Sequence, residues 1–271
     1  MKYILLFLCI LSLSCKYNVA NPVGALKDYT EGSGIIYYVS SSASVSEIEE
    51  ALRKNKHSLG KYKIVVSAST STSKQILTNI AKAISNNTSF NPVEVDISKL
   101  EITEIPEGVF KGLGNLSSIM LSDKLQKIGK EAFSGCSSLN NIRFSKGLTN
   151  IGESAFSGCS SLTFIALDSE KELTISNKAF SGCSSLKNLV FPKSFKVVNC
   201  DAFENCNGLI NVEYLGTKSE ASKISCSPFS SGSNPNNLYL PSMDGTSTNK
   251  IDSTFLGKSW TTTNYGKHIP N

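Results

Sequence analysis

Apolar residues recur through the middle of this chain with a period of about 23 residues. Each period opens with an aliphatic residue, places phenylalanine five residues later and leucine six residues after that, and closes on a short alternating triplet. A fixed period in this range predicts a solenoid of stacked coils, because no single coil can bury its own apolar face. The phenylalanines that mark the periods are Phe110, Phe133, Phe156, Phe180 and Phe203.

An octapeptide around each marker is repeated almost without change. Three copies are identical, at Ala132–Leu139, Ala155–Leu162 and Ala179–Leu186. Two diverged copies lie at Val109–Leu116 and Ala202–Leu209. Successive coils should place these residues above one another, so the phenylalanines predict one buried column and four cysteines a second. The glycine of the octapeptide predicts a turn with positive φ. The four cysteines are Cys136, Cys159, Cys183 and Cys206.

The triplets that close the periods alternate apolar and variable residues, which predicts short strands with one buried face. Stacked coils would join these strands into a parallel ladder whose outward residues are candidates for a partner-binding face. Apolar residues among them favour a partner site, although strand propensity alone also favours valine, phenylalanine and tyrosine. The candidates are Met120, Arg143, Phe164, Ala166, Val190, Glu213 and Tyr239. An asparagine column beside them fits either a structural role or a polar partner; it contains Asn141, Asn188, Asn211 and Asn237.

The segment before the repeats alternates strand and helix patterns. Strands are predicted at Ile35–Val39 and Tyr62–Val66, and helices near Val45–Lys54 and Ser73–Ile84. Residues 35–92 therefore predict a small α/β domain that caps the open end of the array, where apolar surface and strand edges would otherwise face water. An independent catalytic domain is the alternative. Against it, the segment has no glycine-rich phosphate loop and no Gly-x-Ser-x-Gly motif.

The N-terminal residues predict export. Residues 1–14 carry Lys2 before an apolar run that is too short to span a bilayer, a pattern typical of a signal peptide. Residues 15–34 contain the turn-forming residues of a tether.

The repeat array is predicted over residues 93–241, with its last strand at Leu238–Pro241. Residues 242–271 predict a C-terminal cap or tail, in which Phe255 and Trp260 pack on the final coil. The predicted fold class is an α/β solenoid.

The segment Ile151–Leu162 and its copies resemble a known family. With its sequence Ile-Gly-Glu-Ser-Ala-Phe-Ser-Gly-Cys-Ser-Ser-Leu, it resembles the BspA-like leucine-rich-repeat surface proteins of the treponemal type, and Val95–Ser98 is similar to the strand that opens their arrays. The resemblance covers roughly residues 93–241 and implies leucine-rich repeats of about 23 residues behind a small N-terminal cap. It also implies adhesion to host matrix proteins and to other bacteria, although fold does not dictate function.

The segment Leu11–Cys15 looks like a bacterial lipobox, the signal for lipid attachment at a cysteine. It departs from the usual pattern because Ser12 stands where leucine is expected, three residues before the cysteine. Lipid attachment at Cys15 would hold the exported protein on the membrane, and the expected location is the outer membrane at the cell surface. An ordinary cleaved signal is the alternative.

Two further cysteines, Cys200 and Cys226, differ from the buried column. Each lies three residues before a phenylalanine, at a position that other repeats fill with polar residues and that is expected to face water. Adjacent coils lie close enough for a disulfide between them. Parallel Cβ vectors and the 26-residue step argue against a bridge, so a disulfide and two free thiols are both open.

Composition and charge exclude several functional classes. The net charge of +5 is spread without a basic block, so no nucleic-acid partner is expected. The chain has no Cys-x-x-Cys pair, so neither a metal site nor a cofactor is predicted. Its only two histidines, His57 and His268, are far apart in sequence and suggest no catalytic group. Paired serines recur with the repeat and predict turn chemistry rather than nucleophiles. The chain is therefore not expected to be an enzyme.

These observations and the resemblance together lead to the hypothesis of a non-enzymatic adhesin at the cell surface. It would bind a protein or glycan partner, such as host extracellular matrix, through the ladder of repeats. It is expected to act as a monomer held on the membrane by its N-terminal lipid. The alternative is a structural or scaffold lipoprotein that faces the periplasm and has no host partner.

Overall fold

The computed structural model describes residues 27–30, 34–68, 74–167, 169–193, 195–217, 219, 227–230, 232–246, 251 and 254–270. For residues 27–30, 34, 195 and 196 it describes the backbone alone. The predicted signal peptide of residues 1–14, the predicted lipid site Cys15 and Cys226 lie outside the described residues.

The chain before the repeats forms a small α/β unit. Strands β2, β3 and β4 pair in parallel, and the two helices bury apolar residues such as Leu52 and Ile80 against them. The sheet of this unit runs on into the repeats, which confirms an N-terminal cap on the solenoid. Its elements are β1 Lys27–Thr30, β2 Gly34–Val39, α1 Val45–Leu59, β3 Tyr62–Val66, α2 Gln75–Ser85 and β4 Val93–Asp96.

Two features of the cap differ from the sequence-based expectation. Residues 27–30 lie in the predicted tether but form β1, which pairs antiparallel with β2. This strand has only four residues and stands among turn-forming residues in the sequence, so the pattern did not predict it. Helix α1 continues to Leu59 instead of ending near Lys54, because Gly60 at φ 73° provides a left-handed C-cap.

The long strands of the repeats form the predicted parallel ladder in two sheets. The first sheet has the order β1-β2-β3-β4-β6-β8, and the second has the order β10-β12-β14-β15-β18. Equivalent residues of successive repeats face one another, so the 23-residue period sets the register. We call the outward side of these two sheets the ladder face. Its strands are β6 Leu116–Met120, β8 Asn141–Arg143, β10 Phe164–Ala166, β12 Asn188–Phe191, β14 Asn211–Tyr214 and β15 Asn237–Leu240, followed by β18 Thr262–Tyr265.

A third parallel sheet, of shorter strands, covers the other side of the core in the order β13-β11-β9-β7-β5. Each strand carries the aliphatic residue that opens a period, and Ile105, Ile128 and Ile151 are fully buried. The strands are β5 Glu104–Ile105, β7 Lys127–Ile128, β9 Asn150–Ile151, β11 Leu173–Ile175 and β13 Phe195–Val198.

The chain after the repeats closes the C-terminal end of the array. A hairpin of β16 Thr254–Phe255 and β17 Lys258–Ser259 buries Phe255, and Trp260 Nε1 donates a hydrogen bond to the Phe255 carbonyl at 3.0 Å. Strand β18 then pairs with β15 and extends the ladder beyond the last predicted strand. Its sequence Thr-Thr-Asn-Tyr lacks an apolar alternation, so the pattern gave no signal for it.

A column of phenylalanines fills the centre of the solenoid. Consecutive rings from Phe110 to Phe203 are stacked with centroids 5.2, 5.0, 5.1 and 5.0 Å apart, and the planes of the last three pairs are nearly parallel, at 4° to 5°. Phe144 and Phe191 meet this column edge-on, at 87° and 86°. Parallel and edge-on aromatic pairs add to the free energy of plain burial. The column predicted from the octapeptides is therefore the core of the array.

The octapeptides form turns that are hydrogen-bonded from coil to coil. Phe133 N donates to the Ala155 carbonyl at 2.7 Å, and Gly135 N donates to the Ser157 carbonyl at 2.7 Å. The octapeptide glycines have the predicted positive φ, for example 76° at Gly135. A second left-handed position precedes each octapeptide, and in four repeats it is not glycine. These residues are Glu131, Ser154, Lys178 and Asp201.

Replacing Ser154 by glycine is expected to stabilise the fold by about 0.7 kcal/mol. Its φ of 53° strains any residue with a Cβ by about 1–2 kcal/mol, and the greater freedom of glycine when unfolded offsets part of that gain. Urea unfolding would measure the change. Ser161→Gly is the matched control, because Ser161 has no positive φ and should lose stability instead. Equal losses in both variants would contradict the strain argument.

Candidate functional site

The ladder face brings four of the predicted partner-binding residues into one row. Ala166 of β10 lies opposite Val190 of β12, which lies opposite Glu213 of β14, and Glu213 lies opposite Tyr239 of β15. Met120 and Arg143 form a separate pair on β6 and β8. Because β8 and β10 belong to different sheets, the seven predicted residues fall on two parts of the ladder face.

Exposure separates the predicted residues further. Met120 and Phe164 are the most exposed apolar side chains of the ladder face, at 48% and 50%, and Arg143 is also exposed. Ala166, Val190 and Tyr239 are half-buried. Large apolar side chains held in water on a regular sheet are typical of a surface that meets a partner.

Three of the four asparagines in the predicted column form a chain of amides along the second sheet, whereas Asn141 lies on β8 of the first sheet. Asn237 Nδ2 donates to Asn211 Oδ1, and Asn211 Nδ2 donates to Asn188 Oδ1, both at 2.8 Å. Phe164 pairs with Asn188 at the end of this chain. Amides linked in this way polarise one another, so the column both holds the strands together and presents an amide beside the exposed Phe164 ring.

Glu213 corrects the expectation that every outward residue of the ladder is open to a partner. Its side chain points from the sheet as predicted, but it is only 5% exposed because residues after β18 cover it. We call Lys267–Pro270 the cover segment. His268 Nδ1 lies 2.6 Å from Glu213 Oε1, and Ile269 N donates to Glu213 Oε2 at 2.9 Å.

An open cleft of about 750 Å³ lies between the cover segment and the ladder face. Its apolar lining comes from both sides, with Phe164 and Val190 below and Ile269 and Pro270 above. Asn188, Glu213 and His268 supply the polar groups. A smaller cleft of about 330 Å³ lies beside Arg143, with Asp123, Phe144 and Lys146. Clefts of the larger volume are common among ligand sites.

Sequence reasoning missed His268 and Ile269 as part of this site. His268 was considered only as a catalytic residue, and the segment has no periodicity that would place it on the ladder face. Glu213 carried the only signal, because an acidic residue stands where the neighbouring strands have alanine, valine and tyrosine.

The cysteine column is buried and its thiols are hydrogen-bonded, as in Cys136 Sγ, which donates to the Phe110 carbonyl at 3.1 Å. Burial raises the pKa of the Cys136 thiol to about 12 and raises the pKa of Cys159 still further. A hydrogen bond with Cys206 and burial raise the pKa of Cys183. Thiols of this kind stay protonated at neutral pH, so the column is structural and not nucleophilic.

The buried thiols predict a loss of stability in alkali. The folded pKa of Cys136 is raised above its unfolded value near 9.0, so its contribution is present below that value and is lost as the pH rises toward about 12. Ionisation in the unfolded chain alone should cost about 1.4 kcal/mol per thiol at about pH 10. Comparing the wild type with Cys136→Ala from about pH 8 to about pH 10 should show this extra slope in the wild type. Identical slopes would contradict it.

Cys200 is exposed and forms no disulfide with any cysteine that the structure describes. Its proposed disulfide partner, Cys226, lies outside the described residues, so the bridge stays a prediction. Within the part of the chain that the structure describes, His, Cys, Asp and Glu side chains form no group of three or more that could hold a metal ion. The same described residues include no helix that is long and apolar enough to cross a bilayer.

The sequence matches the family model of the BspA-type leucine-rich-repeat region in six copies, over residues 103–235 and 169–268. A solved leucine-rich-repeat protein of T. pallidum is 24% identical, with a TM-score of 0.43, and the match covers 59% of this chain and 78% of that one. A leucine-rich cell-surface protein of Faecalibacterium prausnitzii is 34% identical, with a TM-score of 0.46 and coverages of 50% and 35%. A Bacteroides ovatus leucine-rich-repeat protein is 25% identical, with a TM-score of 0.34 and coverages of 55% and 43%.

This chain therefore spans less than half the length of the last two structures. No curated protein sequence matches it. The repeat model spans more than half of the chain and covers the stacked coils described above. The chain belongs to the BspA-type leucine-rich-repeat family, whose surface proteins serve in protein interaction.

Proposed function

We propose that this protein is a non-enzymatic adhesin of the cell surface that binds a protein or glycan partner, such as host extracellular matrix, through its ladder face. The observation that carries the proposal is the half-exposure of two large apolar side chains on the ladder face, Met120 on the first sheet and Phe164 on the second, where the solenoid holds the strands in register. Leucine-rich-repeat families are typically non-enzymatic.

The contact surface would consist of two parts. Met120 and Arg143 form the first on β6 and β8, while Phe164, Ala166, Val190 and Tyr239 form the second on β10 to β15. Each part is small, so the monomer should bind weakly on its own and gain strength when many copies on a cell meet a repetitive partner. Glu213 joins this surface only where the cover segment leaves it open.

Export by residues 1–14 and lipid attachment at Cys15 complete the proposal, with the protein held at the outer membrane and facing outward. The F. prausnitzii protein is described as a leucine-rich cell-surface protein, which supports the cell-surface part of the proposal. Protease treatment of intact cells tests it, because only a surface-exposed chain is cut. A chain cut only after the cells are opened would favour the periplasm-facing scaffold.

Replacing Phe164 by serine is expected to weaken binding to a host matrix protein by about tenfold, since exposed aromatic anchors carry much of the binding free energy at interfaces. The measurement is surface binding of the full chain to a panel of matrix proteins. Val197→Ser is the matched control, because Val197 is an exposed apolar residue, at 43%, on β13 of the opposite sheet.

Three outcomes separate the readings. Saturable binding that falls in Phe164→Ser but not in Val197→Ser supports the ladder face as the contact surface. Binding that is equal in both variants moves the contact to another part of the chain. Binding to no member of the panel, together with protection from protease on intact cells, overturns the adhesin proposal in favour of a scaffold.

A further inference from the structure

We propose that the second part of the ladder face is a peptide-binding site anchored by the Glu213 carboxylate, and that the cover segment Lys267–Pro270 is its intramolecular occupant. The inference builds on the proposed function, because it assigns a ligand chemistry to the same face. The ligand class is a peptide that carries a histidine or a cationic side chain followed by an apolar residue.

The cover segment contacts Glu213 as a bound peptide would, with the carboxylate as its anchor. Two consecutive residues of the cover segment reach different oxygens of the carboxylate: His268 Nδ1 lies 2.6 Å from Oε1, and Ile269 N donates to Oε2 at 2.9 Å. Hydrogen bonds to an ionised acceptor are about twice as strong as neutral ones. One donor is a main-chain N–H that almost any peptide provides, and the other is a side chain that selects the sequence.

The apolar part of the contact leaves space beyond the occupant. Ile269 and Pro270 line one side of the cleft of about 750 Å³, and Phe164 lines the opposite side while still half-exposed. The site is therefore larger than the segment that occupies it. A longer peptide would place an additional apolar side chain on Phe164 and reach the Asn188 amide, which lines the same cleft.

The contacts before the cover segment lead us to expect that the fold holds together without it. The chain turns at Gly266, whose φ is 66° and whose N–H donates to the carbonyls of Leu240 and Met243 at 2.9 and 2.7 Å. The segment begins only after this turn, and Lys267, His268 and Pro270 are exposed. Its removal should return Glu213 to water instead of opening the core. A chain that ends at Gly266 should keep β18 and unfold close to the wild-type temperature.

The test adds the synthetic peptide Lys-His-Ile-Pro-Asn to the chain that ends at Gly266 and follows the methyl NMR signals of Val190. Saturable shifts with a dissociation constant of the order of millimolar are expected, since a tether alone provides an effective concentration of that size. The intact chain should bind the same peptide at least threefold more weakly, because its own segment competes.

Matched controls distinguish binding through the Glu213 carboxylate from nonspecific binding. A peptide with N-methyl isoleucine at the third position lacks the N–H that Glu213 Oε2 accepts, and it should bind about tenfold more weakly. Glu213→Gln in the shortened chain should have a similar effect. Glu101→Gln is the control, because Glu101 is exposed and lies outside the cleft.

A second measurement uses the intact chain and needs no truncation. Hydrogen exchange at the Ile269 amide should be slow in the wild type and faster in Glu213→Gln, while the exchange of β18 amides is unchanged.

The inference is overturned if the shortened, folded chain shows no saturable shift up to about 10 mM peptide, well above the effective concentration of a tether. It is also overturned if the N-methyl peptide binds equally well, or if the intact chain binds as tightly as the shortened one. Peptide binding without any matrix-protein binding would leave this site in place and reject the proposed host partner. Matrix-protein binding without peptide binding would reject this peptide site and leave the proposed host partner in place.

Discussion

Replacing Phe156 by alanine is expected to destabilise the protein by about 4 kcal/mol, the usual loss when a buried phenylalanine leaves a cavity that its neighbours cannot fill. Phe156 is fully buried and stacks at 5.0 Å on Phe133 and at 5.1 Å on Phe180, with the edge of Phe144 at 5.6 Å. The coils on either side are hydrogen-bonded to the Phe156 turn, so they cannot close the space. Urea unfolding followed by circular dichroism measures the loss.

The matched control is Phe164→Ala, which makes the same chemical change at a half-exposed position of the next strand. Its loss should stay within about 1 kcal/mol, because little apolar surface returns to water. A loss below about 2 kcal/mol for Phe156→Ala would show that the column can repack, contrary to the rigid stack described above.

Replacing Gly152 by alanine is expected to destabilise the fold by about 3 kcal/mol, as overpacking against backbone does. A Cβ at Gly152 would lie 2.6 Å from Lys130 N and 2.7 Å from Gly129 C of the preceding coil. Both atoms are backbone, and Gly152 N also donates to the Ile128 carbonyl at 2.8 Å, so the coils cannot separate without breaking hydrogen bonds. Thermal unfolding would show the loss as a lower midpoint.

Gly147→Ala is the control for this prediction. Its Cβ would meet nothing closer than Ser145 Oγ at 3.4 Å, and it has no positive φ, so its stability should change by less than about 1 kcal/mol. Equal effects at Gly147 and Gly152 would mean that the loss comes from glycine entropy or turn preference rather than from the close approach of two coils.

The rigid column has a consequence for function. The core packs against the inner side of the ladder strands, so the backbone positions of the second sheet depend on the core. A change such as Phe156→Ala should therefore weaken partner binding through the loss of folded protein, whereas Phe164→Ser should weaken it with the fold intact. Measuring stability beside binding distinguishes the two causes.

The repeat period alone was sufficient to predict much of this fold. Identical residues at equal spacing must lie above one another in a stack, so the Phe156 column, the Cys159 column and the parallel register follow from the sequence without further information. The same symmetry identified the outward positions, including Met120 and Phe164, because strand side chains alternate between the two faces.

The tertiary structure decided everything that the repeat does not constrain. The close approach at Gly152 recurs at Gly129, but the equivalent positions Ser176 and Asn199 carry side chains, so the repeat pattern alone does not predict it. Glu213 occupies an outward position yet is buried, because a segment more than 50 residues later folds back over it. Periodicity reports which side of a strand a residue is on, whereas burial also depends on what the rest of the chain places above it.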